Sequence, residues 1–372
     1  MGVKNADDDL MIVAADRAVP TVAMLTRSLW AGPSVVVTRD HAADLSARAV
    51  VMVSKNANVA TGPEGLRNAG ELVELTAVAV GCDRTEVLVA STGVIGVPYP
   101  MPVIRTHFDS ISWPEGATAS AEEAATAIMT TDTHEKVAEA VVSGSAARVV
   151  GIAKGVGMIE PDMATMLTLI TTDAEVAATD LEVIWRRVVA RTFNSLSIDT
   201  DTSTSDTAIV MANGEAGPVD LGAFEAALGG VALDLTRQLA YDGEGAETLI
   251  VVTVDGARDD AQAKRVAKAI VNSPLVKTAV HGRDPNWGRI AMAVGKCSDE
   301  TDISPDHAVI RIGGQELYPS SVSDDTLAQL EQYLAADEVL IRVSLGIADG
   351  AWTVYGCDLT DGYVRINADY TT

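Results

Sequence analysis

The stretch from Lys154 to Leu167, KGVGMIEPDMATML, combines residues that could cleave their own backbone. A Gly-x-Gly and a Pro-Asp pair turn the chain between a β-rich run at 147–153 and an apolar run at 166–172. The Thr165 hydroxyl can attack the Ala164 carbonyl, and the resulting ester can hydrolyse. Thr165 would then be an N-terminal residue that carries a nucleophile and its own amine base. An ordinary loop is the alternative interpretation of the same residue types.

Three other polar stretches are candidates for binding or catalysis. Ser91-Thr-Gly93 follows a strand pattern and offers backbone amides and the Thr92 hydroxyl to an oxyanion, or is only a strand-to-turn junction. The loop 54–62 offers side-chain amides, or only precedes a helix. Glu244 lies between two glycines just after a helical pattern, where the alternative is a helix C-cap with an exposed acid.

Several familiar cofactor and metal patterns are excluded. The acidic run at 199–206 has Thr204 and Val210 where a calcium loop needs glycine and glutamate. Gly155-x-Gly157 lacks the third glycine of a dinucleotide fingerprint, and no Walker loop is found. We therefore expect no cofactor and no metal. The segment 281–289 adds two arginines that could grip a carboxylate.

Composition narrows the class of protein. The 372 residues carry a formal charge of −25, which argues against nucleic acid and against anionic membrane surfaces. The 3 cysteines form no metal-spaced pair and no disulfide framework. No apolar run reaches the ~18 residues of a membrane span, and no signal peptide is recognisable. We expect a soluble, cytoplasmic protein.

Hydrophobic periodicity predicts an α+β fold, because strands and helices come in clusters without strict alternation. Predicted strands are 10–14, 21–26, 34–38, 49–53, 86–90, 147–153, 166–172, 249–254, 308–312, 339–345 and 352–357. Predicted helices are 63–80, 120–129, a helix opened by a capping box at Thr179–Glu182, 220–241, 260–271 and 324–334.

The motif KGxGMIxPxMATML resembles, nearly residue for residue, the self-processing motif of the ornithine acetyltransferase (glutamate N-acetyltransferase) family. Further signatures follow in family order over nearly the entire chain: 55–62, 91–96, 130–132, 201–207, 242–245, 284–289 and 363–372. The resemblance implies a layered α/β sandwich of the ornithine acetyltransferase type, whose chain is autocleaved into two intertwined fragments. These would be 1–164, with the oxyanion-hole loop, and 165–372, beginning with the nucleophile.

Carried over residue by residue, the resemblance implies a cleavage site at Ala164–Thr165, with Thr165 as nucleophile. It implies an oxyanion hole at Thr92 and Gly93, with Glu244 facing the substrate amino group. The substrate-binding residues would be Thr131, Lys154, Thr165, Glu244, Asn367 and Thr372.

The implied reaction takes acetyl from N²-acetylornithine and passes it to glutamate through an acetyl-Thr165 ester, in a ping-pong cycle. The partners would be these small molecules, with acetyl-CoA as a further candidate donor. The fragments would form a heterotetramer of two α and two β copies. Two alternatives remain: an amidase or aminopeptidase that passes the same acyl group to water, and a non-catalytic binding protein.

Two positions depart from the family pattern. Thr200 stands where many relatives have glycine, and Ser205 where they often have asparagine. Both place the chain near the actinobacterial branch that includes paralogues from clavulanic-acid clusters.

Overall fold

A computed structural model of the protein describes residues 9–114, 119–160 and 166–369. The chain divides into two compact units. The described residues up to 194, with 201–235, form the first unit, and residues 195–200 with 236–369 form the second. This division differs from the predicted cleavage at 164/165, which falls within the first unit.

The strands, in chain order, are β1 (Leu10–Leu25), β2 (Ser46–Val53), β3 (Val87–Ser91), β4 (Lys136–Val141), β5 (Arg148–Lys154), β6 (Leu167–Glu175), β7 (Leu196–Ser197), β8 (Thr207–Pro218), β9 (Leu249–Ala257), β10 (Val309–Ile312), β11 (Gln315–Tyr318), β12 (Glu338–Ser344) and β13 (Gly350–Cys357). The helices are α1 (Pro33–His41), α2 (Gly62–Val80), α3 (Met101–Phe108), α4 (Ala121–Ile128), α5 (Ala178–Arg191), α6 (Leu221–Tyr241), α7 (Asp260–Val271), α8 (Pro274–His281), α9 (Trp287–Gly295), α10 (Asp324–Tyr333) and α11 (Asp361–Asp369).

The first unit is organised around a sheet with the strand order β3-β2-β1-β8-β6-β5-β4. The pairs β2/β3 and β6/β8 are parallel, and the other neighbours are antiparallel. One core cluster contains Met52 and Ala90 from β2 and β3 together with Ile152, Leu169 and Ile209 from β5, β6 and β8. The two arms of the sheet therefore share one core, to which α4 contributes.

Helices α2 and α3 cover the opposite face of β2 and β3. Leu72 and Ile104 are fully buried there against Val51 and Val89. These apolar side chains fall at helical spacing in α2, as the sequence predicted. The region therefore provides a rigid support for the loops that follow β2 and β3.

Three predictions for the first unit are wrong. Residues 34–38 form α1 instead of a strand: Pro33 occupies the first turn, and Thr38 exchanges hydrogen bonds with the Val89 backbone at 2.6 and 2.8 Å. Tertiary packing thus overrides the β propensity of this β-branched run. The predicted strands 10–14 and 21–26 are parts of the single strand β1, which has an irregularity between Ala14 and Val19. No capping box opens α5, because its N-cap is Ala177.

The second unit contains a sheet with the order β11-β10-β12-β9-β13-β7. Strand β9 pairs parallel with β12 and antiparallel with β13. Its buried residues pack with those of α7, including Val266 and Ile270. The predicted strands at 249–254, 339–345 and 352–357 and the helix at 260–271 are confirmed.

The two mixed sheets with their clustered helices confirm the predicted α+β layered fold class. In the part of the chain that the structure describes, no helix has both the length and the apolar character needed to cross a bilayer.

Candidate active site

The predicted cleavage site, Ala164–Thr165, lies outside the described residues. So does Thr372, the predicted substrate-binding residue at the C-terminus. The flanks of the cleavage site are described. Strand β5 ends at Lys154 and strand β6 begins at Leu167, and these two residues are directly paired in the antiparallel ladder. The connection that contains the candidate nucleophile therefore joins two neighbouring strands of one sheet.

The turn after β5 is held by a buried aspartate. Gly155 adopts a φ of +143°, which favours glycine, and Met158 takes a φ of +56°. Gly157, which was expected to share this role, is not among the residues with positive φ. The Gly155 N–H donates to Asp132 Oδ1 at 2.7 Å, which fixes the direction in which the chain leaves the sheet.

Asp132 lies at the centre of a buried ionic network. Its Oδ1 accepts from Lys136 Nζ at 2.8 Å, and its Oδ2 accepts from the Thr130 N–H at 3.0 Å. Neither side chain of the Asp132–Lys136 pair is exposed. Burial raises the pKa of Asp132, but Lys154 and Lys136 more than offset this effect and hold the pKa at about 2. Asp132 is therefore ionised at neutral pH.

Lys154 faces a second buried carboxyl group. Lys154 is 4% exposed and Asp206 1% exposed. Burial raises the pKa of Asp206 well above its ordinary value. The Met166 N–H, the Thr26 hydroxyl and Lys154 lie near the carboxyl group and offset this effect only in part, because none of them is at hydrogen-bond geometry to it. Among the described residues, no donor has hydrogen-bond geometry to either Asp206 carboxylate oxygen. The Thr26 hydroxyl donates instead to Ser203 O at 2.7 Å.

Asp206 is positioned by the parallel pairing of β6 and β8. Leu167 is in register with Thr207, and the Thr207 N–H donates to Met166 O at 3.0 Å. Asp206 therefore lies beside Met166, the residue that follows Thr165. Asp206, Asp132 and Lys136 were not predicted as site residues. Asp206 lies in the acidic run 199–206, which does not match a calcium loop. Asp132 lies in the family signature 130–132, in which only Thr131 was predicted to bind substrate.

Thr131 is half-buried and lies between Thr130 and Asp132, which are joined by a hydrogen bond from the Thr130 N–H to the Asp132 carboxylate. Their loop joins α4 to β4. Thr131 and Lys154 are thus placed around one buried carboxylate, and their role in binding substrate stays a prediction.

The predicted oxyanion loop follows β3. The Thr92 N–H donates to Val53 O at 3.1 Å, so this amide extends the sheet and is not available to a ligand. Among the described residues, no hydrogen bond engages the Thr92 hydroxyl or the Gly93 N–H. Gly93 has a φ of +129°, and a Cβ there would lie 2.2 Å from the Lys55 carbonyl carbon. Only glycine fits at this position.

The neighbouring loop 54–62 is fixed by its own amides. Asn56 Oδ1 accepts from the Asn58 N–H at 2.7 Å, and Asn58 Nδ2 donates to Gly65 O at 2.8 Å. Lys55, Asn58 and Ala60 all have positive φ, which is unfavourable for residues with a side chain. The amides that were candidates for binding a ligand instead stabilise this strained loop.

Gly32 links this loop to the segment before Asp206. Its N–H donates to Thr204 O at 2.8 Å. A Cβ on Gly32 would lie 2.8 Å from Val59 Cγ2. Val59 O in turn accepts from the Gly96 N–H at 2.8 Å. A chain of close contacts thus connects the oxyanion loop with the residues around Asp206.

In the second unit, two predicted site residues are in direct contact. Asn367 Nδ2, on α11, donates to Glu244 Oε2 at 2.9 Å. Glu244 lies on the turn after α6, where Thr360 Oγ1 donates to Gly245 O at 2.6 Å. A Cβ on Gly245 would lie 2.4 Å from Tyr363 N, so glycine allows the turn to approach α11. Their role in substrate binding stays a prediction.

The arginine-rich segment 281–289 forms the turn between α8 and α9. Arg289 Nη1 donates to Leu275 O at 2.8 Å and to Thr278 Oγ1 at 3.3 Å. This guanidinium therefore ties α9 to α8.

Comparison with known proteins identifies the family of the chain. The model of the ArgJ family matches residues 1–372. Glutamate N-acetyltransferase Oat2 of Streptomyces clavuligerus is 57% identical over 98% of this chain and 93% of its own length. The arginine biosynthesis bifunctional protein ArgJ of Rhodococcoides fascians is 53% identical over 98% of this chain and 90% of its own. A crystal structure of ArgJ from Bacillus halodurans is similar with a TM-score of 0.50 and 40% identity, over 54% of this chain and 97% of that chain.

The mixed α/β architecture and these matches define an enzyme, an acyltransferase. The chain belongs to the ArgJ family. The predicted resemblance is thereby confirmed, and the relatives include Oat2 of Streptomyces clavuligerus, in line with the predicted branch.

Proposed function

We propose that this enzyme transfers acetyl from N²-acetylornithine to glutamate, giving ornithine and N-acetylglutamate for arginine biosynthesis. The observation that carries the proposal is the family match over the whole chain, with a relative named glutamate N-acetyltransferase at 57% identity. The location is the cytoplasm, and acetyl-CoA is a possible second donor.

The enzyme is first processed by its own Thr165. The hydroxyl attacks the Ala164 carbonyl carbon and the peptide C–N bond breaks, so the Thr165 amine is released and takes the hydroxyl proton. Water then hydrolyses the ester, which frees the Thr165 hydroxyl and leaves Ala164 with a terminal carboxylate. In support, the flanking strands β5 and β6 are paired with each other, so their hydrogen bonds do not require the connection between them to be intact.

Transfer then proceeds in two balanced half-reactions. The Thr165 oxygen forms a bond with the acetyl carbon of acetylornithine, and the amide C–N bond breaks. The hydroxyl proton passes through the Thr165 amine to the departing amine of ornithine. The glutamate amine then attacks the ester, and the proton that it loses restores the threonine hydroxyl. The buried Thr92 hydroxyl and the Gly93 N–H supply the oxyanion donors in both steps.

Charged groups proposed for the site act on the pKa of the Thr165 amine in opposite directions. A free α-amino group has an ordinary pKa of about 7.7–8.0, so much of it is protonated at pH 7. A nearby ammonium group such as Lys154 lowers an amine pKa, whereas carboxylates such as Glu244 raise it. Lys154 is buried, and its charge helps to lower the pKa of Asp132. Lys154 suits the substrate carboxylate, and Glu244 suits the ammonium group of ornithine.

The amidase alternative shares every step up to the ester and differs only in the acceptor. We expect acetylornithine consumption to depend on added glutamate, with N-acetylglutamate formed in equal amount. The test is ornithine release with and without glutamate, followed by mass spectrometry of the intact protein. An acetyl adduct of about 42 daltons on the fragment that begins at Thr165 identifies the nucleophile. Equal consumption without glutamate would establish the hydrolase instead.

The oxyanion donors give a separate prediction. Thr92→Val keeps the side-chain shape and the N–H bond to Val53 but removes the hydroxyl. We expect kcat to fall about 10²–10³-fold, the usual effect of losing one such donor. Thr92→Ser is the matched control, because it retains a hydroxyl, and should keep most of the activity. A Thr92→Val enzyme with normal kcat would show that the hydroxyl is not an oxyanion donor.

The assembly that we propose is a heterotetramer with two copies of each fragment. Thr200 and Ser205, the departures from the family pattern, flank the segment that leads to Asp206. Thr200 has a φ of +72°, a backbone conformation that favours glycine, and glycine is the residue that many relatives have at this position. Donor screening with acetylornithine and other N-acetylated amino acids tests whether these changes alter the substrate.

A further inference from the structure

Three side chains of the second unit point their ligand atoms at one another outside the predicted active-site residues. They are Glu247 in the segment before β9, His281 at the end of α8, and Asp358 just after β13. One ligand atom from each lies within 4.8 Å of those from the other two. His281 Nδ1 is 3.3 Å from Asp358 Oδ2 and 3.7 Å from Glu247 Oε2.

Two of these atoms are buried without hydrogen bonds. Among the described residues, neither His281 Nδ1 nor Asp358 Oδ2 has a hydrogen-bond partner. Asp358 is 4% exposed, and its other oxygen, Oδ1, accepts from the Glu247 and Thr248 N–H groups at 2.9 and 3.1 Å. A buried carboxylate oxygen without a donor is unfavourable, and a bound cation would remove that cost.

The distances fit a small divalent cation. Ligand atoms of a tetrahedral ion with bonds of about 2.0–2.1 Å lie roughly 3.3–3.4 Å apart. The His281–Asp358 separation of 3.3 Å already matches that edge, and the His281–Glu247 separation of 3.7 Å is close to it. The Glu247 side chain is 71% exposed, so it can turn to complete the site.

We propose that Glu247, His281 and Asp358 form a binding site for a divalent transition-metal ion, best suited to Zn²⁺. One imidazole nitrogen with two carboxylate oxygens is a mixed donor set that zinc accepts with tetrahedral geometry, with water as the fourth ligand. Mg²⁺ prefers octahedral oxygen ligands, and Ca²⁺ needs six to eight of them. The site therefore selects against both.

The surroundings of the ligands also suit metal binding. Asp358 is oriented by its two backbone bonds, as ligating carboxylates usually are. His281 is about one-third exposed and gives the ion a route from solvent. A bound ion would join three segments that meet at the start of β9 and the end of β13, so it would stabilise the second unit.

The test is titration of the chelator-treated, full-length protein with ZnCl₂ in a calorimeter, with MgCl₂ and CaCl₂ as comparisons. We expect one Zn²⁺ per chain and an increase in Tm on the order of a few degrees at saturation. His281→Gln should weaken binding at least about 100-fold, because even residues that only orient a ligand contribute about 10–100-fold. Glu247→Gln should weaken binding less, because its side chain is exposed.

Two controls exclude other zinc ligands. His307→Gln changes an exposed histidine of the same unit, and Cys357→Ser removes the thiol next to Asp358. Both should bind Zn²⁺ as the unaltered protein does. No measurable Zn²⁺ binding, or binding that survives His281→Gln unchanged, would overturn the proposal and leave an ordinary histidine–carboxylate pair.

Discussion

Thr165→Ala is expected to yield one uncut polypeptide without measurable acetyl transfer. The substitution removes the hydroxyl that cleaves the Ala164–Thr165 bond and the oxygen that would carry the acetyl group. Loss of a catalytic nucleophile typically lowers kcat on the order of 10⁵–10⁶-fold. A denaturing gel and intact mass measure the processing, and ornithine release in the presence of glutamate measures the transfer.

Thr165→Ser is the matched control for this experiment. Serine keeps a hydroxyl and an α-amine after cleavage, so this variant should be processed and active, although more slowly. Thr165→Ala protein that is cut normally would place the cleavage chemistry elsewhere. Uncut protein that still transfers acetyl would show that the reaction does not need a free N-terminal threonine.

Cleavage itself should not separate the fragments. The residues on either side of the connection belong to β5 and β6, neighbours in a sheet whose other strands come from both fragments. The backbone hydrogen bonds and the shared core therefore hold the fragments together without the peptide bond. We expect two bands on a denaturing gel but a single species in native size-exclusion chromatography.

Local signals in the sequence predicted the parts of the site that depend on backbone conformation. Gly155 was predicted to turn the chain and Gly93 to lie where a strand meets a turn, and both adopt positive φ. Gly93 also lies too close to the Lys55 backbone for any other residue. The long helices α2 and α7 were predictable from apolar side chains at helical spacing. These features depend on residues close to one another in the chain, and a single sequence records them directly.

The ionic network could not be predicted in the same way. Asp132 meets Lys136 only four residues further along the chain, but its electrostatic interaction with Lys154 depends on the pairing of β4 with β5. Asp206 reaches Lys154 only because β8 is inserted beside β6. Such contacts arise from strand order, which no local pattern specifies. The strand prediction for the β-branched run in α1 was wrong for the same reason, because the contact of this run with β3 decides its conformation.

Asp132→Asn is expected to destabilise the first unit strongly. It would leave the Lys136 ammonium, whose side chain is fully buried, without its carboxylate partner, and would remove the charge that balances Lys154. Breaking a buried ion pair from one side typically costs about 3–5 kcal/mol of unfolding free energy. We expect a fall in Tm on the order of 10 °C, measured by calorimetry or circular dichroism.

The pH dependence of stability provides a second measurement. The pKa of Asp132 is about 2 in the folded protein, below its ordinary value of about 3.9. Because the folded pKa is depressed, this group stabilises the protein above about pH 4, and that contribution is lost as the pH falls towards 2. The shift corresponds to about 2 kcal/mol, and Asp132→Asn should lack this part of the acid-induced destabilisation.

Glu225→Gln is the matched control for charge removal. It breaks the Arg187–Glu225 pair, which has a short distance of 2.6 Å but lies exposed to solvent. Exposed pairs contribute about 0–1 kcal/mol, so this variant should unfold close to the unaltered protein. The double variant Asp132→Asn with Lys136→Met should recover part of the loss, because it removes the unpaired buried charge. If Asp132→Asn lowers Tm no more than Glu225→Gln does, the network does not hold the turn that leads from Lys154 to the candidate nucleophile.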